Sequence, residues 1–339
     1  MRLPLTGPSK TQGVPQRIAA IAMLCATIGA CTRANTQAAT RAPADPGPQI
    51  AGCPVFPADN VWNTPIDKLA VDPRSKDYVA SIGADKMLHP DFGADSSNGI
   101  PVTIINGSTP YIKVDFDYAD ESDPGTYPIP PNALVEGGPG AGGDTHVILV
   151  DKDRCMLAEF WSAHRLSDTH WKAGSGMKMD LTSNALRPDG KTSADAAGLP
   201  VLPGLVRYDE VAAGEIRHAL RFTAPKTQDA YVWPARHAAS HSKDAKLPPL
   251  GVRFRLRADF DISGYSKENQ VILTALKRYG MFLADNGAPW FLSGSPDPRW
   301  NDDDLHRLGG VKGSDFEAVN EADWQFLPDS GRVDPTSRK

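Results

Sequence analysis

Few other parts of this chain put so many ionisable and aromatic side chains among so many glycines and prolines as one stretch does. The stretch Ser193 to His237 carries Asp195, Asp209, Glu210, His218 and His237 among glycines and prolines. Its phrases are Ser193-Ala-Asp-Ala-Ala-Gly-Leu-Pro, Pro203-Gly-Leu-Val-Arg-Tyr-Asp-Glu and Tyr231-Val-Trp-Pro-Ala-Arg-His. Glycine and proline fix turns, and turns on a rigid scaffold are where chemistry usually sits. Glu159 adds a further carboxylate, within Cys155-Met-Leu-Ala-Glu-Phe-Trp161. An acid among apolar strand positions is unusual. Two carboxyl groups facing a sugar can divide the roles of acid and base or nucleophile, because their surroundings push their pKa values apart. The catalytic candidates are therefore Glu159, Asp195, Asp209 and Glu210, with His237 as a base near neutral pH. Plainer readings stand beside these. Asp209 would cap a short helix ended by Gly214, Asp195 would form a turn, and Glu159 would partner a buried arginine.

His146, His218 and His237 each lie in or beside a predicted strand. Three imidazoles can hold zinc and leave a position for water. None forms an HxH or HxxxH pair on a convincing helix, so no metal or cofactor is expected, and a zinc hydrolase is the third alternative. A single catalytic histidine, His237 or His146, fits better, with a carboxylate such as Asp144 to orient it. Arg187, Arg207, Arg221, Arg236 and Arg253 present planar forks that suit acidic sugars. In lyase chemistry Tyr208 or Tyr231 would donate the proton. Among seven tryptophans, Trp161, Trp233 and Trp300 are the candidates for stacking on sugar faces. The expected binding set is thus His146, Trp161, Arg207, Tyr208, His218, Trp233, Arg236 and Trp300. There is no GxSxG elbow, HExxH helix, Walker loop or dinucleotide fingerprint. The glycine-rich loop Gly137 to Gly143 lacks a GKS/T ending, which argues against nucleotide binding.

The elements that must position these groups are mostly strands. Ile100–Ile105 and Tyr111–Phe116 flank a turn, and Thr145–Val150 turns through Asp151-Lys-Asp-Arg into Cys155–Trp161. Alternation puts Cys155, Leu157, Glu159 and Trp161 on one face of that return strand. Gly251–Ala258 alternates too, with Val252, Phe254 and Leu256 facing in and Arg253, Arg255 and Arg257 facing away. Ser75–Ile82, capped by Ser75, and Asp302–Leu308, capped by Asn301, read as short helices. Lys267–Ala284 reads as one long helix stopped by Asn286-Gly287. The expectation is a mainly β protein, a single antiparallel sandwich or jelly roll with one long and several short helices.

Length and charge set the frame. The chain has 339 residues and a net charge of -5, with no basic run longer than two residues, so nucleic acid is a poor partner. Arg2, Lys10 and Arg17 precede an apolar run, Ile18 to Ala30, too short to span a bilayer stably. Ile28-Gly-Ala-Cys31 resembles a bacterial lipoprotein cleavage box, which makes residues 1–30 a signal peptide and Cys31 the lipidated residue. Residues 31–52 then read as a disordered tether, 53–327 as one domain and 328–339 as a polar tail. An exported chain sits in an oxidising compartment, so Cys53 and Cys155 are expected to be bridged.

The Ser193-Ala-Asp-Ala-Ala-Gly-Leu-Pro, Gly204-Leu-Val-Arg-Tyr-Asp-Glu and Pro234-Ala-Arg-His segments resemble those of a group of exported bacterial proteins. The likeness spans Phe56 to about Val319, including Gly143-Asp-Thr-His146 and Ala284-Asp-Asn-Gly287. It implies export and one module, and no particular reaction. The functional expectation is an envelope-anchored or secreted polysaccharide-active enzyme, by glycoside hydrolysis ahead of lyase cleavage. The alternative is a non-catalytic lipoprotein that binds glycan or another envelope component.

Overall fold

Strands outnumber helices because β-branched and aromatic runs, short and broken by Gly and Pro, recur along the chain. The computed structural model describes residues 47–334 and Thr336, which belong to one unit, Asp45–Lys339. The predicted signal peptide, Cys31 and residues 31–46 of the predicted tether lie outside the described residues. Packing extends past both expected boundaries. Gln49–Ile50 pairs with Cys53–Pro54, and Ser330, Arg332 and Val333 form bridges to Ala185, Asn60 and Gln325.

Three larger sheets make the body. One has six strands in the order Phe316–Ala318, Arg253–Leu256, Met281–Asn286, Leu220–Ala224, Phe291–Ser293, His89–Asp91. A four-stranded sheet runs Ser175–Asp180, Met156–Trp161, Val147–Asp151, Val102–Ile105. Another runs Thr126–Pro128, Tyr111–Phe116, His170–Ala173, His164–Ser167. The mainly β expectation holds, but the sheets are mixed. Leu220–Ala224 lies parallel to Met281–Asn286, and each of the three sheets contains a parallel pair. Parallel neighbours need long crossovers, and the one between these two strands carries the helix Lys267–Arg278.

The Val147–Asp151 and Met156–Trp161 hairpin is antiparallel, and its two faces serve two cores. Leu157 joins the main core; Ala158 and Phe160 join a second one with Val147, Leu149 and Trp171. The Cys53–Cys155 disulfide closes a span of 102 residues and fastens the first described hairpin to this one. A loop of that length is worth about 4 to 5 kcal/mol on chain-entropy models.

The long helix is shorter than its apolar spacing predicts. It ends at Arg278, and Met281–Asn286 is a central strand. Gly280 makes the break, with φ +67; a Cβ there would lie 2.2 Å from the carbonyl oxygen of Phe254. Phe282 and Leu283 fit helical spacing and a buried strand equally well, since a continuous apolar run carries no period. Ser75 is the first residue of its helix rather than the cap, and its hydroxyl accepts from the Ala318 amide. Arg253 faces away from Phe254 as predicted but into a second buried layer. It is 0% exposed and donates to Val61 O, Thr64 O, Tyr279 O and Glu321.

Candidate functional site

The loop after Ser193 is built by its own side chain. The Ser193 hydroxyl accepts from the Asp195 amide and donates to Leu199 O, winding the segment tightly enough to bury Asp195. Arg221, from the six-stranded sheet, meets Asp195 with a two-pronged fork: Nε to Oδ2 at 3.1 Å and Nη2 to Oδ1 at 3.1 Å. Its remaining prong, Nη1, donates to Ser293 Oγ at 2.6 Å. Asp285 completes the group, lying beside Asp195 and accepting from the Ala196 amide at 3.2 Å.

A register shift brings Asp285 there. Phe222 pairs with Leu283 but Thr223 pairs with Asp285, so Ala284 is an extra residue on its strand. Without the bulge, alternation would turn Asp285 away from the face that carries Arg221 and Thr223. Burial pushes the Asp195 carboxyl well above the ordinary carboxylate range; Arg221 opposes this, and the neighbouring Asp285 reinforces it.

Above this pair lies a hollow of about 410 Å³. Tyr118, Glu121, Asp144, Trp161 and His237 also line it. Trp161 donates through Nε1 to Asp144 Oδ1 at 2.9 Å, which fixes the indole, and the Tyr118 ring lies 6.2 Å from it. His237 Nδ1 is 2.8 Å from Ala196 O, so this nitrogen carries the hydrogen. Its Nε2 faces Glu121 Oε2 at 3.6 Å, and Glu121 also accepts from the Thr192 amide.

Of the expected residues, Asp195, His237 and Trp161 meet in this hollow. Asp285, Glu121, Asp144 and Tyr118 are the members that sequence reasoning missed. Asp144 drew notice only as a partner for a histidine. Asp285 lies in the Ala284-Asp-Asn-Gly phrase, which reads as the end of a helix.

The other candidates lie elsewhere. Glu159 is 0% exposed, and its partners are the Val201 and Leu202 amides at the start of the 3-10 turn Leu202–Gly204, each at 2.8 Å, rather than an arginine. Glu210 is held between Arg207 at 2.5 Å and His218 at 3.0 Å. Asp209 is exposed and paired with Arg299, and neither it nor any other side chain caps the helix Tyr208–Ala213. Tyr208 sits between Arg299 and the Trp300 ring, and Trp300 itself is buried against Phe92. His146 is buried between Glu136 at 2.6 Å and Ala194 O at 3.0 Å. Burial pulls its pKa down, but the Glu136 carboxylate outweighs this and the net direction is up. Arg236 binds Arg187 O, Pro328 O and Asp329, and Trp233 donates to Ser330 O. The three histidines thus have separate partners. Among the described residues no group of three or more His, Cys, Asp or Glu side chains is placed to hold a metal ion.

A wider groove of about 1200 Å³ runs past Ile104, Leu134, Trp171 and Tyr208. Its two acids, Asp209 and Asp297, are both clamped by Arg299. Volume alone does not make a site, and the smaller hollow holds the convergent groups.

Burial pushes the Glu159 carboxyl up to about 7, against the two amides that favour its charge. The folded protein therefore keeps this proton at pH values where the unfolded chain has lost it. The associated stability is complete below the ordinary Glu value of 4.5 and is lost as pH rises toward 7. A shift of this size corresponds to about 3 kcal/mol. Glu159→Gln should flatten the fall in melting temperature across that window relative to the parent protein; superimposable pH–stability slopes would contradict this.

Comparison with known protein families, characterised proteins and solved structures finds no match. A fold would not by itself settle function, and the reading must come from the site.

Proposed function

We propose that the protein is an exported hydrolase of a polysaccharide, with the Asp195–Asp285 pair as its acid. The observation that carries this reading is the pair of neighbouring carboxyl groups lining the hollow, Asp195 buried and Asp285 half-buried. Burial and the neighbouring acid both raise the Asp195 carboxyl, so a proton is retained at this site more readily than at an ordinary carboxylate. Arg221 clamps Asp195, so Asp285, half-buried and facing the hollow, is the member that delivers the proton to a glycosidic oxygen. The pair is too close to bracket a sugar ring, so a water must be activated from another side. Glu121, with His237 beside it, supplies that carboxylate. Trp161 and Tyr118 offer faces on which a sugar can stack.

The arrangement favours hydrolysis over lyase chemistry. A lyase must neutralise a uronate, and no Lys or Arg is among the residues lining the hollow. Arg187, Arg207, Arg236 and Arg253 are bound to the chain's own groups instead. A glycan free of acidic groups is the better substrate, met in the cell envelope or outside the cell, where the leader and Cys31 would deliver the protein. The aromatic wall alone would also serve a non-catalytic glycan-binding lipoprotein. Incubation with a panel of glycans free of acidic groups, neutral and amino-bearing, followed by mass analysis of the products, separates the two. New reducing ends support the hydrolase, and retention without product after long incubation supports the binder. Neither product nor retention would end both readings.

A further inference from the structure

The charge balance of the same hollow narrows its substrate, on the reading just given. Its ionisable lining groups, apart from the Tyr118 phenol, are Glu121, Asp144, Asp195, Asp285 and His237. Only Asp195 has a built-in counter-cation, Arg221. Asp144 is exposed, and its carboxylate accepts from an uncharged indole N–H. Glu121 has a backbone amide and, at 3.6 Å, the His237 imidazole. The hollow is therefore negative on its open side. That charge lies against the rings of Tyr118 and Trp161, whose faces also attract cations. Carboxylates and ring faces at one end of a hollow are the chemistry that recognises an ammonium group. A fully acetylated sugar would leave these charges unused, and a uronate would be repelled.

We infer that the hollow binds a glycan bearing free amino groups, an amino-sugar polymer whose ammonium sits between Asp144, Glu121 and the Trp161–Tyr118 wall. Such a ligand supplies from outside the positive charge that the lining residues lack. Its sugar rings still present the apolar faces that stack on indole.

The test uses the full chain carrying Asp285→Asn, so that turnover does not confuse binding. Calorimetric titration compares pentamers of glucosamine, N-acetylglucosamine and galacturonate. The glucosamine pentamer should bind at least about tenfold more tightly than the acetylated one, a ratio equal to roughly 1.4 kcal/mol. The ratio should shrink at high salt, because partly exposed charges are screened. Adding Glu121→Gln should cost the glucosamine pentamer about threefold to tenfold in affinity, the range of a partly exposed charge contact, and leave the acetylated pentamer unchanged. Equal or tighter binding of the acetylated pentamer would overturn this inference while leaving the hydrolase reading intact. If no pentamer bound and no neutral or amino-bearing glycan were cleaved, both would fall. Binding of oligolysine with no binding of glucosamine would reassign the hollow to a basic peptide.

Discussion

Asp285→Asn should lower turnover of the cognate glycan by about 10² to 10⁴-fold, the usual contribution of a positioned proton donor. The substitution keeps shape and size. Asn can still accept from the Ala196 amide through its oxygen and can donate through its nitrogen to Asp195. What disappears is the transferable proton. Stability should therefore hold, since the amide fills the same volume and keeps the bond to the Ala196 amide. KM should move little compared with kcat, because the loss falls on the chemical step. The parent activity should decline as pH rises and the pair gives up its proton. Asp209→Asn is the informative contrast: that acid is exposed, paired with Arg299 and outside the hollow, so its turnover should match the parent. Turnover of Asp285→Asn within about threefold of the parent, far short of that contribution, would remove the pair from the mechanism.

Parts of this arrangement were legible before any coordinates. The alternation from Cys155 to Trp161 correctly separates the faces of that strand, because one side-chain period settles it. The Cys53–Cys155 bridge follows from counting cysteines in a chain whose first residues read as an export leader. Asp195, His237 and Trp161 stood out because each is a reactive or stacking group beside small or turn-forming residues. Asp285 did not, for a physical reason. It follows an apolar run that suits helix and strand alike, and its direction depends on a bulge that only strand pairing reveals. Glu159 and Glu210 show the opposite error. An acid in an apolar setting looks catalytic in a one-dimensional reading, yet backbone amides satisfy one and an Arg–His pair the other. Partners far away in sequence decide whether a buried charge is idle or poised. The mixed sheets were hidden for the same reason, since parallel pairing is set by crossovers and leaves no period of its own.

Arg221→Met should destabilise the protein by about 3 to 5 kcal/mol, the cost of leaving a buried carboxylate without its partner. Arg221 and Asp195 are both almost wholly buried, and the guanidinium also donates to Ser293. Deleting it strands Asp195 against Asp285 with no cation between the two and the sheet behind. Adding Asp195→Leu to Arg221→Met should recover much of the loss, because an apolar pair of similar volume asks for no desolvation of charge. The cycle formed by the two single variants and the double one reports the coupling directly, and chemical denaturation at neutral pH measures each corner. Coupling near zero would mean that Asp195 holds its place through the Ser193 turn alone. Activity should separate from stability across the same set. The stabilised double variant is expected to fold yet fail to turn over glycan, because Asp285 would have lost its neighbouring acid. On the proposed reading Arg221 anchors Asp195 beside Asp285 at the cost of a buried ion pair, and the variant set separates that positioning from stability alone.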